Sequence, residues 1–99
     1  MKIYAHRGYS RKYPENTMIA FEKALAYDCD GIECDIQLTR DKVPVIIHDE
    51  KIDRTSDGKG YVKNFTYREL LAFDFAHHKP GTYGKSSIIT LRELLLLIR

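Results

Sequence analysis

The sequence predicts an α/β fold, and three observations carry the prediction. Residues 31–38 alternate with a period of two: Ile32, Cys34, Ile36 and Leu38 share one face, and Glu33, Asp35 and Gln37 the other. Upstream, Lys2-Ile3-Tyr4-Ala5 reads as a short strand. Between the two, Met18, Phe21 and Leu25 recur at helical spacing with Ala20, Ala24 and Ala26 among them. Strand, helix and strand in succession make a βαβ unit, whose strands run parallel. A length of 99 residues suits one small domain with a modest core.

Taken in order, the first strand runs into His6-Arg7-Gly8, where glycine permits a sharp exit or a close backbone approach. Histidine and arginine side by side at a strand end are either a polar loop or a proton-transfer group beside a fixed positive charge. A polar, basic loop over 9–13 leads to Pro14-Glu15-Asn16-Thr17. The helix is expected over 16–27, with Asn16 as its N-cap, and the polar Asp28-Cys29-Asp30-Gly31 closes it. After the strand at 31–38 comes a tight turn, then Val43-Pro44-Val45-Ile46-Ile47 as a further strand ending at His48-Asp49. The turn is too short for a helical crossover, so periodicity leaves open an antiparallel return or a compact crossover without a helix.

Residues 50–85 lose the periodic pattern, and 53–60 are turn material. Thr66 with Glu69, and Thr90 with Glu93, stand at capping-box spacing, which predicts a short helix after Thr66 and a longer one from Thr90. Five leucines and an isoleucine within 90–99 ask for burial on more than one side. His77-His78 beside Lys79-Pro80-Gly81 reads as surface loop, without a further ligand at metal-binding spacing.

Composition excludes several function classes. Hydrophobic content is 43% and charged content 30%, ordinary for a globular protein, and a net charge of +2 is too small to argue for nucleic acid or an anionic membrane. No run of about eighteen apolar residues exists to span a membrane, and Met1 to His6 turns polar too soon for a signal peptide. Cys29 and Cys34 form no C-x-x-C pair, and Cys34 falls on the apolar face of its strand as a small core residue. A reducing, cytoplasmic location is the expectation.

Chemistry gathers at the strand ends. Glu33 and Asp35 are i and i+2 on a strand, roughly 7 Å apart on one face, and can share a divalent cation. Taken alone, such alternation marks a solvated polar face more often than a ligand pair. Its company changes the reading: His6-Arg7 and His48-Asp49 also stand at strand ends. Two carboxylates can hold a hard cation, Arg7 can neutralise a phosphate, and two histidines can act as base and acid across a displacement. That set suits phosphodiester cleavage.

The same residues carry a resemblance to the glycerophosphodiester phosphodiesterases. The matching pieces are His6-Arg7-Gly8, Pro14-Glu15-Asn16-Thr17, Glu33-x-Asp35, Thr39-x-Asp41 and His48-Asp49. Arg54-Thr55 through Gly58 and Gly60, Thr66 with Glu69-Leu70, and Thr90-Leu91-x-Glu93 also look like the family. Ile88-Ile89-Thr90 departs from its usual Ile-Pro-Thr. The resemblance implies the N-terminal part of a TIM (β/α)₈ barrel of the phospholipase-C-like phosphodiesterase type, incomplete in this chain, with the strand at 43–47 parallel to the others. Residues 1–49 would supply three strands and the first helix, 50–85 a family insertion shaping the glycerol side of the pocket, and 86–99 the following barrel helix.

It further implies metal-dependent hydrolysis of a small-molecule glycerophosphodiester to glycerol 3-phosphate and an alcohol, a step of lipid metabolism, through a cyclic phosphate formed by the substrate's own 2-hydroxyl. Glu33 and Asp35 would bind Ca²⁺ or Mg²⁺, and His6 and His48 would be general acid and base. Arg7 would hold the phosphate with Asn16 near the substrate, and Glu15 and Asp49 would support the site. A whole barrel needs about 250 residues, and the family's third carboxylate ligand, a Glu-x-Lys glutamate, is expected beyond Arg99. Two readings follow: an enzyme or its N-terminal part, or a catalytically silent domain that binds metal or phosphate only. In either, the open strand edge and the leucine-rich helix are expected to be covered by a second copy, as a homo-oligomer, or by the missing C-terminal half of the barrel.

Overall fold

The computed structural model describes residues 4–27, 29–79 and 84–98. Strand β1 is Tyr4–His6, helix α1 is Met18–Ala26, and strand β2 is Gly31–Glu33. The βαβ expectation holds: β1 pairs with β2 in parallel, with Tyr4 opposite Gly31, Ala5 opposite Ile32 and His6 opposite Glu33. Lys2 and Ile3 of the expected first strand, and Asp28 of the expected closing turn, lie outside the described residues.

The entrance to α1 differs from expectation. Thr17, not Asn16, is the N-cap, its hydroxyl oxygen accepting from the Ala20 amide at 3.4 Å. Asn16 has a left-handed backbone, φ 57°, a conformation asparagine tolerates and an extended N-cap does not have. Arg7 is left-handed as well, φ 55°, and the Asn16 amide donates to the Arg7 carbonyl at 2.9 Å. The two irregular residues therefore hold each other. Gly8 follows at φ +78°, and a Cβ there would meet Ala20 backbone and side chain at 2.7–2.9 Å. The tight exit from β1 onto α1 requires glycine on both counts.

The single strand expected over 31–38 is two. It breaks at Cys34-Asp35 into β2 and β3, Ile36–Leu38, which belong to different sheets. Strand β4, Pro44–Ile46, pairs with β3 antiparallel: Ile36 opposite Ile46, Gln37 opposite Val45, Leu38 opposite Pro44. The parallel arrangement of this strand is thus overturned, because the connection is too short for a crossover and instead closes a hairpin, with the Thr39 amide donating to the Val43 carbonyl at 3.1 Å. The break also ends the common apolar face: Ile32 and Cys34 pack against a buried cluster, but Ile36 and Leu38 are exposed.

β4 is the centre of the packing. Val45, and Ile47 just past the strand's end, enter one cluster with Ile52, Val62, Leu70, Phe75 and Ile88. Ile46 faces the other way into a second, with Phe21 of α1, Ile89, and Leu94 of helix α3, Leu91–Ile98. Residues within 50–85, aperiodic in sequence, supply most of the first cluster. They include a 3₁₀ turn at Val62–Asn64 and helix α2, Tyr67–Leu70. Both expected capping boxes form. Thr66 and Glu69 cap α2 reciprocally. Ahead of α3, the Thr90 amide donates to Glu93 Oε1 at 2.9 Å and the Glu93 amide to Thr90 Oγ1 at 3.1 Å. On α3, Leu94 is buried while Leu95, Leu96 and Ile98 are about half exposed, as a leucine run longer than one helix face demands.

Candidate functional site

The parallel register decides which side chains meet at the end of β1. His6 stands opposite Glu33, and its Nε2 lies 3.1 Å from Glu33 Oε1, with both side chains more than half exposed. One residue on, the Arg7 amide donates to the Glu33 carbonyl at 2.7 Å. The guanidinium turns inward: Nε lies 3.3 Å from Asp35 Oδ2 and Nη1 3.3 Å from Glu15 Oε2. The Nε contact is one of charge rather than of an aligned hydrogen bond, since that nitrogen is buried without a hydrogen-bond acceptor. Asn16, also buried, donates from Nδ2 to Asp35 Oδ2 at 3.3 Å.

The antiparallel hairpin brings His48 to the same place. With Ile46 opposite Ile36, the Ile47 amide donates to the Asp35 carbonyl at 3.0 Å. His48 thus emerges beside the segment that carries Glu33 and Asp35, and its carbonyl accepts from Gln37 Nε2 at 3.1 Å. His48 Nδ1 lies 2.8 Å from Asp49 Oδ1. Asp49 in turn takes two hydrogen bonds from Arg54, from Nε and Nη2 at 3.0 Å each. The same guanidinium makes a two-pronged pair with Glu15, both distances 2.9 Å. A continuous network therefore runs from His48 through Asp49, Arg54, Glu15 and Arg7 to Asp35 and Asn16.

The protonation states follow from these partners. The Arg54 hydrogen bonds outweigh burial and, with His48, push the Asp49 carboxyl down to about 2. Burial would raise Glu15, but Arg54, Arg7 and His78 together leave its carboxyl lowered, and Glu15 and Asp49 in turn raise Arg54. Burial, reinforced by Asp35 and Glu33, pushes the Cys34 thiol up, which fits an inert packing role. His78 is half-buried rather than on the surface: its Nδ1 donates to the Thr55 carbonyl at 3.1 Å, and burial lowers its pKa.

Every residue singled out from the sequence, His6, Arg7, Glu15, Asn16, Glu33, Asp35, His48 and Asp49, lies in one of two connected groups at these strand ends. Arg54 is the member that sequence reasoning passed over, although it stood inside a matching segment. The donors offered by Glu33 and Asp35 are carboxylate oxygens, and Asn16 Oδ1 is a buried amide oxygen without a partner. Hard oxygen donors of this kind fit a hard divalent cation better than a soft one. Among the described residues, no three His, Cys, Asp or Glu side chains come together as a metal-holding group. No helix among them is long and apolar enough to cross a membrane.

Comparison with known proteins shows the family and the fold. Residues 6–97 match the model of the glycerophosphoryl diester phosphodiesterase family. A glycerophosphodiester phosphodiesterase of Bacillus altitudinis is 52% identical over 97 residues, covering 98% of this chain and 40% of that protein. One from Caldanaerobacter subterraneus is 45% identical over 96 residues, again covering 40% of its length. The crystal structure of the Agrobacterium tumefaciens glycerophosphodiester phosphodiesterase superposes with a TM-score of 0.91 at 35% identity, covering 96% of this chain and 41% of that one. An Oleispira antarctica phosphodiesterase, solved with the product sn-glycerol-3-phosphate, gives 0.93 at 35% identity over 99% of this chain and 40% of that one. This chain belongs to the glycerophosphodiester phosphodiesterase family. It spans about 40% of the length of the curated relatives it matches, and its α/β fold is a partial barrel of their kind.

Proposed function

We propose that this chain carries the acid–base and phosphate-holding part of a site that hydrolyses glycerophosphodiesters to sn-glycerol 3-phosphate and an alcohol. The supporting observation is that His6–Glu33 and His48–Asp49 both adjoin the Arg7–Asp35 pair, His6 as the chain neighbour of Arg7 and His48 through the Ile47 amide on the Asp35 carbonyl. The product bound to the Oleispira relative supports the choice of substrate. In this reading Arg7, set in place by Glu15 and Asp35, neutralises the phosphate with its guanidinium. Asp49, ionised at neutral pH, holds a proton on His48 Nδ1 and leaves Nε2 as the reacting nitrogen. One histidine takes the proton of the substrate's 2-hydroxyl as that oxygen bonds to phosphorus. The other gives a proton to the alcohol oxygen as its bond to phosphorus breaks. Water then opens the resulting cyclic phosphate.

A divalent cation, Ca²⁺ or Mg²⁺, held by Glu33 and Asp35 would supply further charge neutralisation at the phosphate. The test is steady-state hydrolysis of a panel of glycerophosphodiesters. His6→Ala and His48→Ala are each expected to lower kcat by at least about a hundredfold, the scale of a positioned acid or base. A loss under about threefold in both, or a wild-type chain that binds but turns nothing over, would replace this reading with a silent binding domain.

A further inference from the structure

We propose that Arg54 is a positioning residue of this site: clamped between Asp49 and Glu15, it fixes the tautomer and orientation of His48. The inference rests on the function proposed above and adds a residue to it. All three kinds of guanidinium nitrogen are used. Nε and Nη2 bind Asp49 at 3.0 Å, and Nη1 and Nη2 bind Glu15 at 2.9 Å. Two carboxylates at fixed angles match a planar fork, which a lysine's point charge cannot reproduce.

The base of the clamp is anchored. Ile52, Thr55 and Ser56 are buried around Arg54. The Ser56 amide and hydroxyl both donate to the Ile52 carbonyl, at 3.0 and 2.7 Å. The backbone that projects Arg54 is therefore held by a buried turn. Asp49 Oδ1 is the shared atom: it accepts from Arg54 Nη2 at 3.0 Å and lies 2.8 Å from His48 Nδ1. Without the fork, the Asp49 carboxylate is free to rotate away from the ring. The half-exposed imidazole then loses the bond that chooses between its two neutral forms. On the other side Glu15, whose side chain is only 12% exposed, passes the constraint to Arg7 at 3.3 Å.

The test is nitrogen-15 NMR of the histidine rings in the whole chain at a pH where they are neutral, for wild type, Arg54→Met and Arg54→Lys. In wild type the Nδ1–H form of His48 is expected to dominate. Arg54→Met shifts the tautomer ratio at least threefold toward Nε2–H, and Arg54→Lys, which keeps the charge and loses the fork, shifts it in the same direction. The ratio at His6, whose partner is Glu33, stays where it was, which separates positioning from general loosening. A wild-type ratio at His48 in either variant whose amide spectrum is that of a folded chain overturns the proposal. So does an equal shift at both rings. The readout needs no turnover, so it fails or succeeds independently of the hydrolysis assay on His6 and His48.

Discussion

His6 ends strand β1 and His48 lies just beyond β4, and each faces a carboxylate, but the two pairs are built to different standards. His48–Asp49 sits on Ile46 and Ile47, both buried, and its carboxylate is tied to Arg54. His6–Glu33 sits on β1, where Tyr4 is 62% exposed, and both partners are more than half exposed themselves. The difference is one of what each carboxylate is asked to do. Asp49 orients a ring and is held still for it. Glu33, the carboxylate proposed to share a cation with Asp35, meets His6 in an exposed contact. The same kind of contact, a histidine beside a carboxylate, is thus built once on a buttressed base and once on an exposed one.

The largest expected contrast lies under the two histidines. Ile47→Ala should cost about 2–5 kcal/mol, the usual range for truncating a buried aliphatic side chain. Tyr4→Ala should cost under about 1 kcal/mol, as surface positions do. Urea unfolding of both variants reads the difference, and similar losses would show that the strand under His6 is as firmly packed as the one under His48. The next contrast is between the carboxylate partners. Arg54→Met leaves the poorly exposed Glu15 without its fork and should cost about 1–3 kcal/mol. Glu33→Gln breaks an exposed pair and should stay within about 0.5 kcal/mol. If the two variants unfold at the same urea concentration, the distinction between locked and loose pairs is lost.

The smallest effect is on acid stability. Asp49 is held at about 2 against an ordinary 3.8. A depressed carboxylate contributes stability that is fully present above its unfolded value and is lost as pH falls through the folded one. The contribution of Asp49 should therefore vanish between about pH 4 and pH 2, with lowered Glu15 adding to the same acid limb. Asp49→Asn should flatten the dependence of the thermal midpoint on pH in that interval, and an unchanged slope would place the acid sensitivity elsewhere.

The local features of this protein were legible in its sequence because each is encoded within a few residues. The alternation over 31–38, the Met18-Phe21 helical spacing, and the Thr66–Glu69 and Thr90–Glu93 caps depend on periods of two to four. The residue types of the site were legible for the same reason: His6-Arg7, Glu33-x-Asp35 and His48-Asp49 are short, chemically coherent strings. Alternation could not show that one polar string is cut into two strands at Cys34-Asp35, because a change of direction between sheets leaves the pattern of residues intact. Nor could the want of periodicity in 50–85 reveal that Ile52, Val62, Leu70 and Phe75 pack together with β4: packing from turns and short helices has no period to detect. The role of Arg54 was decided by tertiary structure alone. It meets Glu15 across 39 residues of chain, a distance over which spacing carries no information and only the path of the folded backbone, set by the hairpin and the buried turn, brings a guanidinium between two carboxylates.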